Sequence, residues 1–164
     1  MRQNGFTLIV SLIFLVMMTM LGLAMFSGFT LDETMAGNLR EKSRAFDAAQ
    51  TAINSAEYWL AQPGNATIGS TCSTALTTPQ VCSNALANPT TLPWVNAGIS
   101  VTPASGAGSY AANPTYYIQY LGTQASGNAF YLITAAAQGG NANAVAVLQT
   151  VYKISVQSGD LGNG

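Results

Sequence analysis

Histidine is absent from all 164 residues, which removes at once the commonest general base and the commonest metal ligand. Charge is nearly as scarce: Asp, Glu, Lys and Arg make up 7% of the chain and leave a net charge of −1. Nothing in that balance calls for nucleic acid or an anionic surface as partner. Cysteine is limited to Cys72 and Cys82. One pair cannot supply the four ligands of structural zinc, and the spacing is not C-x-x-C. In an exported domain the two read as a disulfide; in a reducing cytosol they read as free thiols. Beyond the N-terminal third there is no G-x-S-x-G, no Walker loop and no pair of carboxylates. The expectation is a chain with no catalytic residue, no metal site and no cofactor.

Where the charge is missing matters more than how much is missing. All the charged residues but Lys153 and Asp160 lie between Arg2 and Glu57. A soluble surface ordinarily carries about a quarter or more of charged side chains. The C-terminal part must therefore stay in water on Ser, Thr, Asn, Gln and backbone groups. Such a surface suits packing against neighbours without like-charge repulsion, and simple composition bias would leave the same residues.

From Gln3 to Leu31 no charged residue occurs over 29 positions, and from Phe6 the run is dominated by Leu, Ile, Val, Met and Phe. A membrane-spanning helix needs about 20 such residues. Arg2, the only charge ahead of the run, favours an N-terminus held in the cytoplasm, with everything after Asp32 on the far side. A cleaved secretory signal fits poorly, because its apolar core is shorter and ends in a small-x-small site. A plain signal anchor holding a periplasmic domain is a second reading. The third rests on the leader Met1-Arg2-Gln3-Asn4-Gly5 followed by Phe6-Thr7-Leu8-Ile9. This arrangement resembles the type III signal of prepilins, which a membrane aspartyl peptidase cuts after the glycine before methylating the new amine. The resemblance implies cleavage between Gly5 and Phe6 and N-methylation of Phe6. Glycine suits the cut, since without a side chain it lets an extended backbone approach the protease closely.

Most pilins carry a glutamate five residues into the mature chain, and here that position is Val10. The resemblance gives that glutamate the task of meeting a neighbouring subunit's N-terminal amine inside the filament core. A buried charge without a partner costs several kcal/mol. A Val10 subunit is therefore expected to be poor as a repeating component and tolerable where added once, as at a tip. Hydrogen bonds to the amine from Thr7 or backbone carbonyls would instead make Val10 neutral.

The helical pattern continues past Leu31. Met35, Leu39, Phe46, Ala49, Ile53, Ala56 and Leu60 follow spacings of 4, 7, 3, 4, 3 and 4, the stripe of one face. Arg40, Glu41, Arg44, Asp47 and Glu57 are placed opposite, with Glu41–Arg44 and Arg44–Asp47 able to pair weakly in solvent. Pro63-Gly64 ends the helix. A single helix over 6–61 is roughly 80 Å long. Its 6–31 half is apolar all round and its 32–61 half amphipathic, so the second is expected to pack on a globular head and the first to protrude. Gly22, Gly28 and Gly37 each weaken it by about 1 kcal/mol relative to Ala. They serve either local loosening during extraction from the bilayer or close helix–helix approach.

Residues 62–115 are rich in Ala, Thr, Ser, Asn, Pro and Gly, with Cys72, Cys82 and Trp94 as fixed points. So long a stretch without periodicity is a functional surface or partly mobile. Segments 116–122, 129–136 and 144–156 are β-branched and aromatic, separated by turn residues at 123–128 and 138–143, and read as an antiparallel meander. Residues 99–102 are a candidate fourth strand. In the last segment Leu148, Thr150, Tyr152, Ile154 and Val156 share one face, and Gln149, Lys153 and Ser155 the other.

The stretch Asp32-Glu33-Thr34-Met35-Ala36-Gly37-Asn38-Leu39-Arg40, with alanines at 45, 48, 49, 52 and 56 after it, resembles the N-terminal region of PilX-type minor pilins. There an M-A-G-N-x-R stretch precedes an alanine-rich helix, and many members also lack the glutamate at the position of Val10. Phe130-Tyr131-Leu132-Ile133-Thr134-Ala135, Gly139-Gly140 and Val147-Leu148-Gln149-Thr150-Val151-Tyr152 resemble the C-terminal end of the same type. The likeness holds at both ends and fails between them.

The resemblance implies an α+β, type IV pilin-like fold, one long N-terminal α-helix packed on a small antiparallel β-sheet head. The chain would divide into a leader at 1–5, a transmembrane and filament-core half-helix at 6–31, an amphipathic half at 32–61 and a head at 62–164. The head would consist of a loop region at 62–115 and a β-meander at 116–156. The implied role is a structural minor pilin that helps prime a type IV pilus and sits near its tip, with Phe6, Thr7 and Val10 at the filament-assembly surface. It would begin as a single-pass inner-membrane protein with a periplasmic head, where Cys72 and Cys82 are bridged, and end in the extracellular pilus. Its partners would be prepilin peptidase, the lipid bilayer, the inner-membrane assembly platform, the major pilin and other minor pilins. Two other readings use the same residues. One is a minor pseudopilin of a type II secretion system; the other is an adhesion module presenting Trp94, Tyr110 and polar groups of 62–115 to a ligand.

Overall fold

The computed structural model describes residues 4–94, 98–103 and 110–155, apart from the side chains of 4, 5 and 27–30. Residues 1–3 of the expected leader, Val156 at the expected strand end, Asp160 and the side-chain surroundings of Gly28 lie outside that description. Helix α1 runs over Asn4–Ala61 and is followed by β1 (Ile99–Ser100), β2 (Thr115–Thr123), β3 (Ala129–Gln138) and β4 (Val145–Ile154). The chain forms two compact units, one ending at Arg40 and the other starting at Glu41.

In the first unit every described side chain from Phe6 to Arg40 is exposed. A helix stays intact under those conditions because it satisfies its own backbone, the property that lets it enter lipid. Its few hydroxyls follow the same rule. Ser11 donates to the Leu8 carbonyl at 2.9 Å, Thr19 to Val16 at 2.8 Å and Thr34 to Leu31 at 2.9 Å. The apolar part is long enough to cross a membrane by length and composition. A Cβ at Gly22 or Gly37 would meet nothing within 4 Å among the described residues.

The second unit begins with the rest of α1, and here the buried face differs from the expected stripe. Ala45, Ala48, Ala49, Ala52, Ile53, Ala56 and Leu60 are buried, whereas Met35, Leu39 and Phe46 are 58%, 72% and 50% exposed. Met35 and Leu39 belong to the first unit; for Phe46 the physical reason is size. Alanines let the helix backbone come close to a sheet, so the small residues define the contact and bulkier Phe46 falls at its edge. Helix α1 stops at Ala61, and Gly64 follows in the left-handed region at φ 86°, which glycine adopts without strain.

The sheet has the order β1-β2-β3-β4, antiparallel throughout. Strands β2 and β3 extend a little beyond the expected segments, and β4 covers less than 144–156. Tyr116, Ile118, Tyr131, Ile133 and Ala135 form the core with Ala52, Ile53, Ala56 and Leu60, and Leu148, Tyr152 and Ile154 pack on its margin. Along β4, Leu148, Thr150, Tyr152 and Ile154 are half-buried while Gln149, Val151 and Lys153 are exposed, the alternation a one-sided strand requires.

The described part of 62–115 is held by specific pairing rather than by regular structure. Cys82 lies alongside β2, donating its N–H to the Ile118 carbonyl and accepting from the Tyr120 N–H, both at 2.8 Å. Cys72 and Cys82 are joined by a disulfide with Cα atoms 5.5 Å apart. The Asn84 side chain brackets Cys72, accepting from its N–H at 2.7 Å and donating to its carbonyl at 3.1 Å. Tyr117 in β2 donates its hydroxyl to the Asn84 carbonyl at 2.9 Å. Cys72, Cys82 and Tyr117 thereby form a small second core, with Leu76, Leu86 and Trp94 packed on it.

Candidate assembly surface

Residues four apart on a helix form a ridge inclined to its axis. Phe6, Val10, Phe14 and Met18 make one such ridge, and Thr7, Ser11 and Leu15 make the next; together they bound an open apolar groove. The first ridge is large and the second starts small, so the surface can receive an apolar ridge from another helix. Phe6, Thr7 and Val10 are thus brought together by local spacing alone. Val10 is 47% exposed and offers an aliphatic surface with nothing to titrate. The Gly5–Phe6 bond lies in the first turns of α1, where glycine's poor helix propensity makes local unwinding least costly.

The expected Glu41–Arg44 pair forms and Asp47 is exposed, but the pair is placed differently from expectation. Glu41 and Arg44 were read as part of a solvent-facing side, yet both are half-buried and engaged with the β3–β4 turn. Glu41 accepts from the Arg44 guanidinium at 2.9 Å and from the Gly140 N–H. Arg44 lies over the Tyr110 ring, 5.4 Å from its centre, within cation–π reach. Lys42 donates to the Val145 carbonyl at 2.8 Å. The Arg44 hydrogen bond, helped by the donors at Gly140 and Asn141, holds the Glu41 carboxyl below its ordinary value.

This latch was not legible in the sequence, because Glu41 and Gly140 are 99 positions apart and no local pattern links them. The one available signal was the doublet Gly139-Gly140. A Cβ on Gly139 would stand 2.5 Å from the Glu41 carbonyl oxygen, and one on Gly140 would stand 2.6 Å from Arg44 Nη1. Gly139 must stay bare for the turn to reach the helix backbone, whereas Gly140 faces only the movable ends of Arg44 and Glu41.

Trp94 and Tyr110, the aromatic residues assigned to ligand contact, are occupied within the head. Trp94 donates its indole N–H to the Pro89 carbonyl at 2.9 Å, and Tyr110 lies under Arg44. Among the described residues no group of three or more His, Cys, Asp or Glu gathers to hold a metal.

Two family models match the chain. One, described as PilX N-terminal, covers residues 4–54; the other, described as type IV pilus assembly protein PilX C-term, covers residues 78–154. The second match starts well inside the loop region, so the likeness reaches further inward than the residues read from the sequence and takes in Cys82 and Trp94. No curated protein and no solved structure matches.

Proposed function

The chain belongs to the PilX family of type IV pilus assembly proteins, and on that premise we propose that it is a minor pilin that helps prime the pilus and stays at or near its tip. In this reading the 1–5 leader is removed between Gly5 and Phe6 by prepilin peptidase, and the new amine on Phe6 is methylated. The 6–31 half of α1 first lies in the inner membrane with its N-terminus in the cytoplasm. It then passes, through the inner-membrane assembly platform, into the filament core beside the major pilin and other minor pilins. Residues 32–61 and the head stay outside the membrane throughout, and the chain's role is structural.

The observation that carries the tip assignment is Val10. It stands on the ridge that begins with Phe6, and it has no carboxylate to offer a neighbour's amine. Repeating that mismatch along a shaft would repeat the cost of an unpaired buried charge; adding the subunit once incurs it once. The experiment has two readouts. Intact mass and N-terminal sequencing of protein from its native membrane should show a chain starting at methylated Phe6. Labelling this subunit in purified filaments should give sparse signal confined to one end. Abundant labelling along the shaft would overturn the tip assignment, and a chain still starting at Met1 beside active peptidase would overturn the processing.

A further inference from the structure

The head carries a recess that the assembly role leaves unused. It lies where α1 ends, between Trp59, the loop after Gly64 and residues 79–81, and holds about 500 Å³, within the range of roughly 300–1,000 Å³ common to small-ligand sites. Its walls are held by specific contacts. Gly69, at φ 78°, runs so close to Val81 that a Cβ would stand 2.6 Å from the Val81 carbonyl oxygen. The Ser70 N–H donates to that same carbonyl at 3.3 Å, and the Cys72–Cys82 bridge closes the loop behind it. On the opposite wall Asn65 Nδ2 donates to the Trp59 carbonyl at 2.8 Å, tying the loop to the last helical turn. Trp59 is half-buried, packed on the core while also lining the recess.

The lining contains no charged residue. It consists of Trp59, aliphatic surface, the exposed hydroxyl residues Thr67 and Ser70, and the amide residues Asn65 and Gln80. The Gln80 amide nitrogen is directed at Cys72 Sγ, 3.3 Å away, which leaves its oxygen as an acceptor. The recess has no Lys or Arg to attract phosphates, nucleic acids or acidic peptides, and no carboxylate to offset a calcium-type cation. What fits is a neutral molecule with a flat C–H face for the indole and a rim of hydroxyls for the amides and hydroxyls. A pyranose ring has both. We propose that this recess binds a neutral saccharide unit, with Trp59 as its platform and Asn65, Thr67, Ser70 and Gln80 as its hydrogen-bonding rim. The proposal goes beyond the assembly role and is independent of tip placement.

The test uses the full chain in phosphatidylcholine bilayer discs, which carry no sugar headgroups, with Trp94→Phe so that Trp59 is the only indole. Neutral trisaccharides of glucose, galactose and N-acetylglucosamine are titrated while tryptophan emission and saturation-transfer NMR are followed. At least one should give saturable binding that shifts Trp59 emission and is unchanged by added salt, as an uncharged contact requires. Trp59→Ala should weaken it by about tenfold or more, as removal of an aromatic anchor does. Thr67→Ala and Gln80→Ala, which leave the core intact, should weaken it several-fold without moving the unfolding temperature. No binding by any of the three, binding that survives Trp59→Ala, or preferential binding of a DNA oligomer or an uncharged peptide would overturn the proposal.

Discussion

Replacing Gly139 by alanine tests how α1 and the sheet are held together. Gly139 is buried, and both of its main-chain groups are committed: its N–H donates to the Ala144 carbonyl at 2.8 Å, and its carbonyl accepts from the Ala111 N–H at 2.7 Å. The new methyl group would stand 2.5 Å from the Glu41 carbonyl oxygen, 3.0 Å from Glu41 Oε2 and 3.3 Å from the Ala144 Cβ. The nearest of these is helix backbone, fixed by its own hydrogen bond four residues on, so it cannot swing aside. Overpacking of this kind costs about 1–3 kcal/mol, and loss of one turn hydrogen bond adds about 0.5–1.5 kcal/mol. The expected total is roughly 1.5–4.5 kcal/mol. At about 4 °C per kcal/mol for a domain of this size, the unfolding temperature should drop by roughly 6–18 °C. Gly140→Ala is the control. Its methyl group would meet Arg44 Nη1 at 2.6 Å and Glu41 Oε2 at 2.8 Å, the ends of side chains that can move, so it should cost a small fraction as much. Thermal unfolding followed by near-ultraviolet circular dichroism of the head's tyrosines and tryptophans reads both variants. Adding Glu41→Ala should relieve Gly140→Ala, by removing the 2.8 Å contact and releasing Arg44 to move, but not Gly139→Ala, whose nearest contact is the Glu41 carbonyl oxygen. Equal losses for the two glycines, or rescue of Gly139→Ala by Glu41→Ala, would refute the reasoning.

Two further outcomes follow from the head. Replacing Cys72 and Cys82 together by serine should lower stability by about 2–4 kcal/mol, and reductant should lower the native protein by a similar amount; denaturant titration with and without reductant checks both. Because Arg44 and the β3–β4 turn depress the Glu41 carboxyl, its contribution is complete above the free-glutamate value of 4.5 and is lost as pH falls through the lower folded value. Glu41→Gln should therefore flatten the acid side of the stability–pH curve while leaving the alkaline side unchanged, as measured by unfolding across a pH series.

The apolar half of α1 was legible because its cause is local. An uncharged run of that length has one stable form in lipid, and the ridge of Phe6, Val10 and Phe14 follows from helical spacing alone. The three long strands were legible for a similar reason, since alternation along β4 separates Leu148, Thr150 and Tyr152 from Gln149 and Lys153 whatever lies opposite. The face that α1 turns to the sheet was legible in part. Periodicity placed Ala49, Ile53, Ala56 and Leu60 on it, and these are buried, but it also placed Phe46 there and omitted Ala45, Ala48 and Ala52, whose small side chains permit close approach to the sheet. The latch of Glu41 and Arg44 on Gly140, the seating of Cys82 beside Ile118 and Tyr120, and the recess under Trp59 all join positions distant along the chain. Such contacts depend on which backbones meet in space, and only the tertiary structure decides that. In the sequence they appear as a charged pair, a glycine doublet, two cysteines and a polar loop, with nothing to say which of them touch.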